Sequence, residues 1–223
     1  MQRVSHQVWA GILGFVSLVL VTNLLLVVAC LPLVLLLMTT DPALSWPWIA
    51  LATPLAAPGV AAAFRAFREH GVGGLGTLRA FGAGLRDTWR RALVVGAGAT
   101  ALAAVLLVDV RALSGGAIGV LVVPLLAVLV LVTCIVALLA LVGLSEAPTA
   151  RWSDLLRASA VLGLRRWYLS AVSLAAFAAQ AAVFTTAPAL GLGITASVVL
   201  YLAWTNSRFT LRPVLDLDEA VAA

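Results

Sequence analysis

The sequence carries little charge. Only 10% of its 223 residues are charged, 63% are hydrophobic, and the mean hydropathy is +1.13. A soluble domain carries roughly 25% charged residues. Since a soluble chain of this size could not bury so much apolar surface, the composition excludes a soluble domain and predicts that the solvent is a lipid bilayer.

Lysine is absent, and all fourteen basic residues are arginine. Together with the abundance of alanine, glycine, valine and leucine, this indicates a GC-rich bacterial genome. The net charge of +5 and the pI of about 10.6 would suggest nucleic-acid binding in a soluble protein. Here every arginine cluster adjoins a predicted membrane edge, so we expect the arginines to flank membrane spans and predict no nucleic-acid partner.

Groups that carry enzymatic chemistry are scarce. There are two histidines, His6 and His70, and two cysteines, Cys30 and Cys134. Both cysteines lie in apolar runs, which is typical of packed residues and not of a disulfide or a metal site. No HExxH or GxSxG motif occurs, and no predicted span has a carboxylate at its centre. The sequence therefore predicts no enzyme, no cofactor and no metal site, and it disfavours an ion-coupled transporter.

Long charge-free runs fill most of the chain, and a spanning helix needs about 20 residues. The run over residues 167–207 is long enough for two spans with a turn near Pro188. We predict an all-α membrane protein: a six-helix transmembrane bundle that forms a single domain over residues 1–206, with a short cytoplasmic tail at 207–223. The spans are expected near residues 8–31, 47–66, 92–109, 116–143, 168–186 and 188–206.

The arginines predict the orientation of these spans. If the N-terminus is cytoplasmic, thirteen of the fourteen arginines fall in cytoplasmic segments, and Arg111 alone falls outside. Basic residues concentrate on the cytoplasmic side of membrane proteins. We therefore expect a multi-pass protein of the bacterial cytoplasmic (inner) membrane with both termini in the cytoplasm.

Two cytoplasmic segments carry helical patterns rich in arginine. In the first, apolar residues recur every three or four positions, at Leu75, Leu78, Phe81, Leu85 and Trp89. In the second, Arg157 and Trp167 repeat Arg79 and Trp89 at an offset of 78 residues. The patterns predict two amphipathic interfacial helices that lie in the headgroup layer. Either an internal duplication or the shared physics of two interfacial loops accounts for the repetition.

A few residues interrupt the apolar pattern of the spans. Asn23 and Gln180 are side-chain amides within predicted spans, and we expect them to bind across helix interfaces, with contact to a substrate as the alternative. Pro32 should end or kink the first helix. Pro54 and Pro58 either kink the second span or break it into short helices that line a cavity.

The order of motifs in the first half of the chain resembles a known family. The motifs are Trp9, Asn23-Leu24-Leu25, Leu31-Pro32, Ala57-Pro58-Gly59, Ala61-Ala62-Ala63, Arg65, and then the arginine-rich segment with Phe81 and Trp89. This order is similar to the YesL-like family of small bacterial membrane proteins, which has no assigned molecular activity. The similarity covers residues 9–110 by motif, although residues 33–56 are an insertion relative to the family pattern. It implies six helices, no known catalytic residues and an accessory role in carbohydrate uptake.

The predicted function is that of a non-enzymatic accessory or partner of a solute uptake system, with carbohydrate as the solute that the resemblance implies. The two amphipathic helices would dock onto transporter subunits or onto a second copy of the chain. The alternative is a small-molecule transporter or facilitator with a site near the Pro54–Pro58 break. The candidate interface and packing residues are Asn23, Pro32, Pro58, Arg79, Trp89, Arg157, Trp167 and Gln180.

Overall fold

The fold is built from helices. The computed structural model describes residues 2–71, 73, 76–116 and 118–222, and within these ranges it contains helices and no strand. Six helical segments are long and apolar enough to cross a membrane. Helices suit a bilayer because lipid offers no partners to unpaired backbone groups. The predicted all-α bundle with six spans is confirmed.

Short connections join the helices. In chain order the elements are α1 (Gln2–Ala29), α2 (Leu31–Thr39), α3 (Pro42–Gly71), α4 (Thr77–Leu113), α5 (Gly119–Glu146), α6 (Trp152–Arg165), α7 (Trp167–Thr186), α8 (Pro188–Leu190), a π-helical turn (Gly191–Thr195) and α9 (Ala196–Ala222). The candidate spans lie in α1, α3, α4, α5, α7 and the stretch from α8 into α9. Each of the six predicted spans overlaps one of them.

Pro32 separates the first span from a short additional helix. α1 ends at Ala29, and Pro32 lies in the first turn of α2. Proline is tolerated there because the first N–H groups of a helix have no partner within the helix. Residues 33–56 thus fold as α2 and the N-terminal half of α3.

α3 lies at the centre of the packed core. Its C-terminal half is buried on nearly all sides, mostly through small residues, which are Ala57, Pro58, Gly59, Ala61, Ala62, Ala63, Phe64, Ala66 and Phe67. Pro54 and Pro58 lie inside α3 and do not interrupt it. The interpretation of this segment as a broken helix is therefore wrong. α1, α4, α5 and α9 all pack against α3, and such neighbours hold a proline-containing helix in one piece.

Glycines allow α4 to approach α3 closely. A Cβ at Gly96 would lie 2.7 Å from the Cβ of Ala57, and a Cβ at Gly84 would lie 3.0 Å from the Cα of Ala62. Neither position has room for a side chain, which is typical of membrane helices that associate through small residues. α3 and α4 consequently form the most extensive helix pair of the bundle.

The first amphipathic segment is helical, but it is not a separate helix. α4 runs without interruption from Thr77 to Leu113, so it joins this segment to the third span. No proline or glycine lies between Arg86 and Val95 to end the helix. Leu75, which was included in the predicted apolar face, lies outside the described residues.

The second amphipathic segment forms its own helix, α6. Leu155, Ser159 and Gly163 recur every four residues and are buried, whereas Arg157 on another face is exposed. α6 ends at Arg165, and Trp167 begins α7. Trp167 therefore belongs to the next span and not to the amphipathic helix.

The arginine-rich segments meet at one end of the bundle, as the alternating spans require. Arg65 forms an ion pair with Asp87 at 2.8 Å, and the Arg91 guanidinium donates to the carbonyl of Pro148 over 2.8 Å. These contacts join the C-terminal part of α3 and the N-terminal part of α4 to the α5–α6 connection. We call this end, which also holds Arg68, Arg166 and Arg208, the basic end.

The C-terminal segment differs from the predicted short tail. α9 continues to Ala222, with Pro213 inside it, so residues 207–222 extend the helix of the sixth span. The first part of this extension packs into the protein, since Ser207, Thr210 and Leu211 are buried. The predicted boundary at residue 206 therefore does not coincide with the end of the helix.

Candidate functional site

A cavity of about 830 Å³ lies between two groups of helices. α1, α2 and α3 line one side, α7 lines the other, and residues of the π-helical turn and α9 lie between them. Met38, Pro42, Ala181 and Thr185 border the cavity and are exposed, so the cavity is open to the outside of the bundle. We call this cavity the lateral groove.

Apolar side chains form most of the groove lining, among them Leu26, Val34, Leu37, Phe177, Phe184 and Leu200. Asn23, Gln180 and Thr185 add polar groups. The volume lies within the range of small-molecule sites, about 300–1,000 Å³. A carbohydrate would leave many hydroxyl groups without partners on these walls, whereas an apolar or amphiphilic molecule would not.

Asn23 joins α1 to the π-helical turn and to the start of α9. Its Nδ2 donates to the carbonyl of Gly193 over 2.9 Å, and its Oδ1 accepts a hydrogen bond from the backbone N–H of Ser197 over 2.8 Å. The residue is 2% exposed. A hydrogen bond from the Ser197 hydroxyl to the carbonyl of Val19, at 3.0 Å, strengthens the same junction. Asn23 thus binds across a helix interface, as expected for an amide in lipid.

Gln180 makes a similar connection from α7. Its Nε2 donates to the carbonyl of Gly191 over 2.8 Å, and its Oε1 accepts a hydrogen bond from the Thr195 hydroxyl over 2.7 Å. A π-helical turn shifts backbone carbonyls away from their α-helical partners. Asn23 and Gln180 therefore bind carbonyls of the irregular turn itself. The two amides hold opposite walls of the groove to a common element.

Glu146 is a central residue of the basic end that sequence reasoning missed. Its side chain is 6% exposed. Oε1 accepts a hydrogen bond from Nε1 of Trp204 over 2.9 Å, and Oε2 lies 3.5 Å from Nε of Arg208. The guanidinium of Arg68 donates to the backbone carbonyls of Ser145 and Glu146. These contacts join the C-terminal ends of α3 and α5 to the interior of α9. The one available signal was an acidic residue that directly follows a long apolar run.

The other candidate residues are not gathered in one place. Pro58 is buried in α3, and Pro32 is exposed at the start of α2. Arg79, Trp89, Arg157 and Trp167 are all exposed, and no hydrogen bond or ion pair connects them in the described part of the chain. The first amphipathic segment instead buries Ala80, Phe81, Gly84 and Thr88 against the bundle.

One side of this segment is left exposed. Leu78 is 65% exposed, Leu85 36% and Trp89 47%, and the guanidinium of Arg90 lies 5.1 Å from the centre of the Trp89 ring. These positions, at i, i+7 and i+11, share one face of α4. We call Leu78, Leu85 and Trp89 the exposed α4 face.

The fold defines the class of the chain as a multi-pass α-helical membrane protein. Comparison with protein-family models, curated proteins and solved structures finds no match. Among the described residues, no group of three or more His, Cys, Asp or Glu side chains could hold a metal ion. The resemblance to the YesL-like family remains a prediction.

Proposed function

We propose that this chain is a non-enzymatic membrane protein that binds a small apolar or amphiphilic molecule in the lateral groove and acts as its transporter or facilitator. The observation that carries this proposal is a partly open, mostly apolar cavity of about 830 Å³. The site differs from the one expected at a proline break. α3 is continuous, but Ala56 and Val60, which flank Pro58, lie in the groove wall.

The hydrogen bonds around the groove favour a formed site over a packing defect. Asn23 and Gln180 fix the π-helical turn from two sides, through Gly193 and Gly191 respectively. Polar side chains that form hydrogen bonds with specific backbone groups hold the walls of the groove in a defined position. A ligand would therefore meet a site that is largely formed before binding, as is usual for small-molecule sites.

The location of the groove indicates how its ligand arrives. In our proposal the chain lies in a bacterial cytoplasmic membrane and the basic end faces the cytoplasm. The groove residues Met38, Pro42, Thr185 and Pro188 adjoin the connections at the opposite end. We infer that the groove lies within the outer half of the bilayer and that a molecule dissolved in lipid enters it there.

A bulky side chain in the groove tests the proposal. Ala181 lines the groove, whereas Ala179 is exposed on the opposite face of α7 and does not line it. We would measure binding of the fluorescent fatty acid cis-parinaric acid to the purified full-length protein in detergent. Ala181→Trp should weaken binding at least about fivefold, since overfilling a formed site costs about 1–3 kcal/mol. Ala179→Trp should bind like the unaltered protein, and both variants contain the same number of tryptophans.

Two results would reject the groove as a binding site. One is equal affinity in the Ala181→Trp and Ala179→Trp variants, because this would place the fatty acid elsewhere on the apolar surface. The other is the absence of saturable binding to the unaltered protein. Matching elution of both variants as single species in size-exclusion chromatography would show that a difference in binding does not reflect misfolding.

The exposed α4 face supports a second candidate function, that of an accessory partner of a solute uptake system. Leu78, Leu85 and Trp89 remain exposed while the other side of the same segment packs on α3. An apolar face beside arginines at the basic end suits a subunit of a transporter, and the family resemblance implies a carbohydrate transporter. A second copy of the chain is the other partner that this face could accept.

Charges introduced on this face test the docking proposal. Leu78→Asp combined with Leu85→Asp should strongly reduce co-purification with transporter subunits from membranes. Val161 and Leu164 of α6 are also exposed, at 56% and 59%, so Val161→Asp with Leu164→Asp is a matched control. Unchanged recovery of the subunits with the α4 variant would contradict docking there. Self-association would instead appear as a decrease in oligomeric mass of the α4 variant by light scattering.

A further inference from the structure

A second cavity lies at the basic end, where α6 gives way to α7. Its volume is about 460 Å³, and it is lined by Leu162, Arg165, Arg166, Tyr168 and Pro213. We propose that this cavity, which we call the arginine pocket, binds the phosphate group of an anionic membrane lipid. The proposal does not depend on whether the lateral groove is occupied.

Arg166 is held in a fixed orientation beside the pocket. Its Nη1 donates to the carbonyl of Phe209 over 2.7 Å, and its guanidinium lies 5.3 Å from the centre of the Phe209 ring. A guanidinium has five N–H donors, so one hydrogen bond leaves others for a ligand. A positioned guanidinium of this kind favours planar, paired hydrogen bonds to phosphate oxygens.

Arg165 and Tyr168 complete the polar lining. The Arg165 side chain is exposed, and it makes no hydrogen bond or ion pair with any residue in the described ranges. Tyr168 contributes a phenolic hydroxyl from the first turn of α7. No described carboxylate lines the pocket. The two guanidinium groups and one hydroxyl therefore present donors to an anion, and the described side chains of the lining include no competing carboxylate.

The level of the pocket in the bundle points to a lipid phosphate. α7 begins a candidate membrane span at Trp167, which is 65% exposed. Exposed tryptophans at the ends of spans typically lie at the membrane interface. Basic pockets between helices at this level bind anionic headgroups. Leu162 and Pro213 supply an apolar border next to which the acyl chains of a lipid can lie.

Lipid retention by variants of the pocket tests the proposal. The full-length protein in mild detergent would be titrated with dioleoyl phosphatidylglycerol, and bound lipid counted by native mass spectrometry, with dioleoyl phosphatidylcholine as the zwitterionic comparison. Arg165→Gln should weaken phosphatidylglycerol binding about tenfold or more, because a charge-assisted hydrogen bond is lost. Tyr168→Phe should weaken it by a smaller factor.

Arg157→Gln is the matched control. Arg157 is an exposed arginine of the same helix and does not line the pocket. Eight residues of α-helix place it about 12 Å from Arg165 along the helix axis, which exceeds the screening length of about 8 Å at physiological salt. Equal losses in Arg157→Gln and Arg165→Gln would overturn the proposal, since binding would then reflect general surface charge. Unchanged binding in both Arg165→Gln and Tyr168→Phe would overturn it as well.

Inorganic phosphate distinguishes the two sources of the same chemical group. At a concentration equal to that of the lipid, phosphate should leave bound phosphatidylglycerol in place, because it lacks the apolar contacts. Displacement under these conditions would assign the pocket to free phosphate and contradict a lipid site. Equal retention of phosphatidylcholine and phosphatidylglycerol would also contradict recognition of an anionic lipid.

Discussion

The indole Nε1 of Trp204 lies 2.9 Å from Oε1 of Glu146 and joins α9 to the C-terminal end of α5 through a nearly buried carboxylate. Glu146→Ala would leave the indole N–H without its acceptor, which costs about 1–3 kcal/mol for a buried group. The half-exposed Arg208 adds at most about 1 kcal/mol through its ion pair. We predict a lower thermal unfolding temperature in detergent for Glu146→Ala, followed by circular dichroism.

Two further variants make this prediction specific. Glu146→Gln should lose less stability than Glu146→Ala, because an amide oxygen can still accept the indole hydrogen bond. Asp154 is an exposed acidic residue whose side chain contacts the neighbouring Ser153 hydroxyl at 3.4 Å, so Asp154→Ala should change stability little. Equal unfolding temperatures for Glu146→Ala and Asp154→Ala would show that the buried carboxylate does not stabilise the bundle.

Two glycines of α4 should respond in opposite ways to the same substitution. A methyl group at Gly96 would lie 2.7 Å from the Cβ of Ala57 and 3.2 Å from the Cα of Pro54, whereas Gly98 has no neighbouring atom within 4 Å. Gly96→Ala should destabilise the protein by about 1–3 kcal/mol through overpacking. Gly98→Ala should be neutral or stabilise it by up to about 1 kcal/mol, because alanine favours a helix.

Unfolding of both glycine variants in the same detergent checks this prediction. Both variants make the same chemical change in the same helix. A difference in stability between them therefore reports contact with α3 and not helix propensity. Stabilisation by Gly96→Ala would mean that α3 and α4 are farther apart than described. Such a result would also mean that close packing of α3 and α4 does not require small residues at their interface.

The amides beside the groove should contribute to stability through the π-helical turn. Asn23→Leu removes two hydrogen bonds between α1 and the residues from Gly193 to Ser197. Interhelical hydrogen bonds in membranes contribute about 0.6–2 kcal/mol each. We predict a loss of that order for Asn23→Leu and for Gln180→Leu, measured by reversible unfolding in detergent and lipid mixtures.

Thr205 supplies the control for the amide variants. It is exposed on α9, and its hydroxyl donates to the carbonyl of Tyr201 within the same helix. Thr205→Val removes a hydrogen bond that does not connect two helices, so its effect should be close to zero. If Asn23→Leu is as stable as Thr205→Val, the amide does not hold α1 to the turn.

Features that act within one helix could be predicted from the sequence. Runs of apolar residues located all six spans, and Pro32 marked the end of α1 because a proline restricts its own backbone. Glu146 and the π-helical turn were not predicted, because their partners are distant in sequence. The bond from Asn23 to Gly193 spans 170 residues, and that from Trp204 to Glu146 spans 58. No local pattern specifies such pairs.

The amphipathic pattern of α4 was recognised, but its buried side was not. Sequence reasoning grouped Leu78, Phe81, Leu85 and Trp89 as one apolar face, yet only Phe81 of these is buried. Contact with α3 is made instead through small residues such as Gly84. In lipid, large apolar side chains gain little by leaving the bilayer, and close packing of small residues decides which side faces the bundle.

The side of the membrane on which the basic end lies can be tested with two serines at opposite ends of the bundle. Ser114 is exposed at the end of α4, and Ser153 is exposed in α6 at the basic end. In a background with Cys30→Ala and Cys134→Ala, the variants Ser114→Cys and Ser153→Cys would be treated on intact cells with a maleimide that does not cross the membrane. The excess of arginine at the basic end predicts that Ser114→Cys reacts on intact cells, without permeabilisation of the membrane.

Ser153→Cys should react only after the membrane is permeabilised, because the thirteen arginines assigned to the cytoplasmic segments would hold that end inside. The reverse pattern would invert the bundle. The lateral groove would then open in the inner half of the bilayer, and the arginine pocket would face outer-leaflet headgroups. Labelling of both variants on intact cells, with a cytoplasmic marker protein left unmodified, would mean that the spans do not alternate as the helix order requires. Either pattern would refute the orientation on which the proposed approach of the ligand rests.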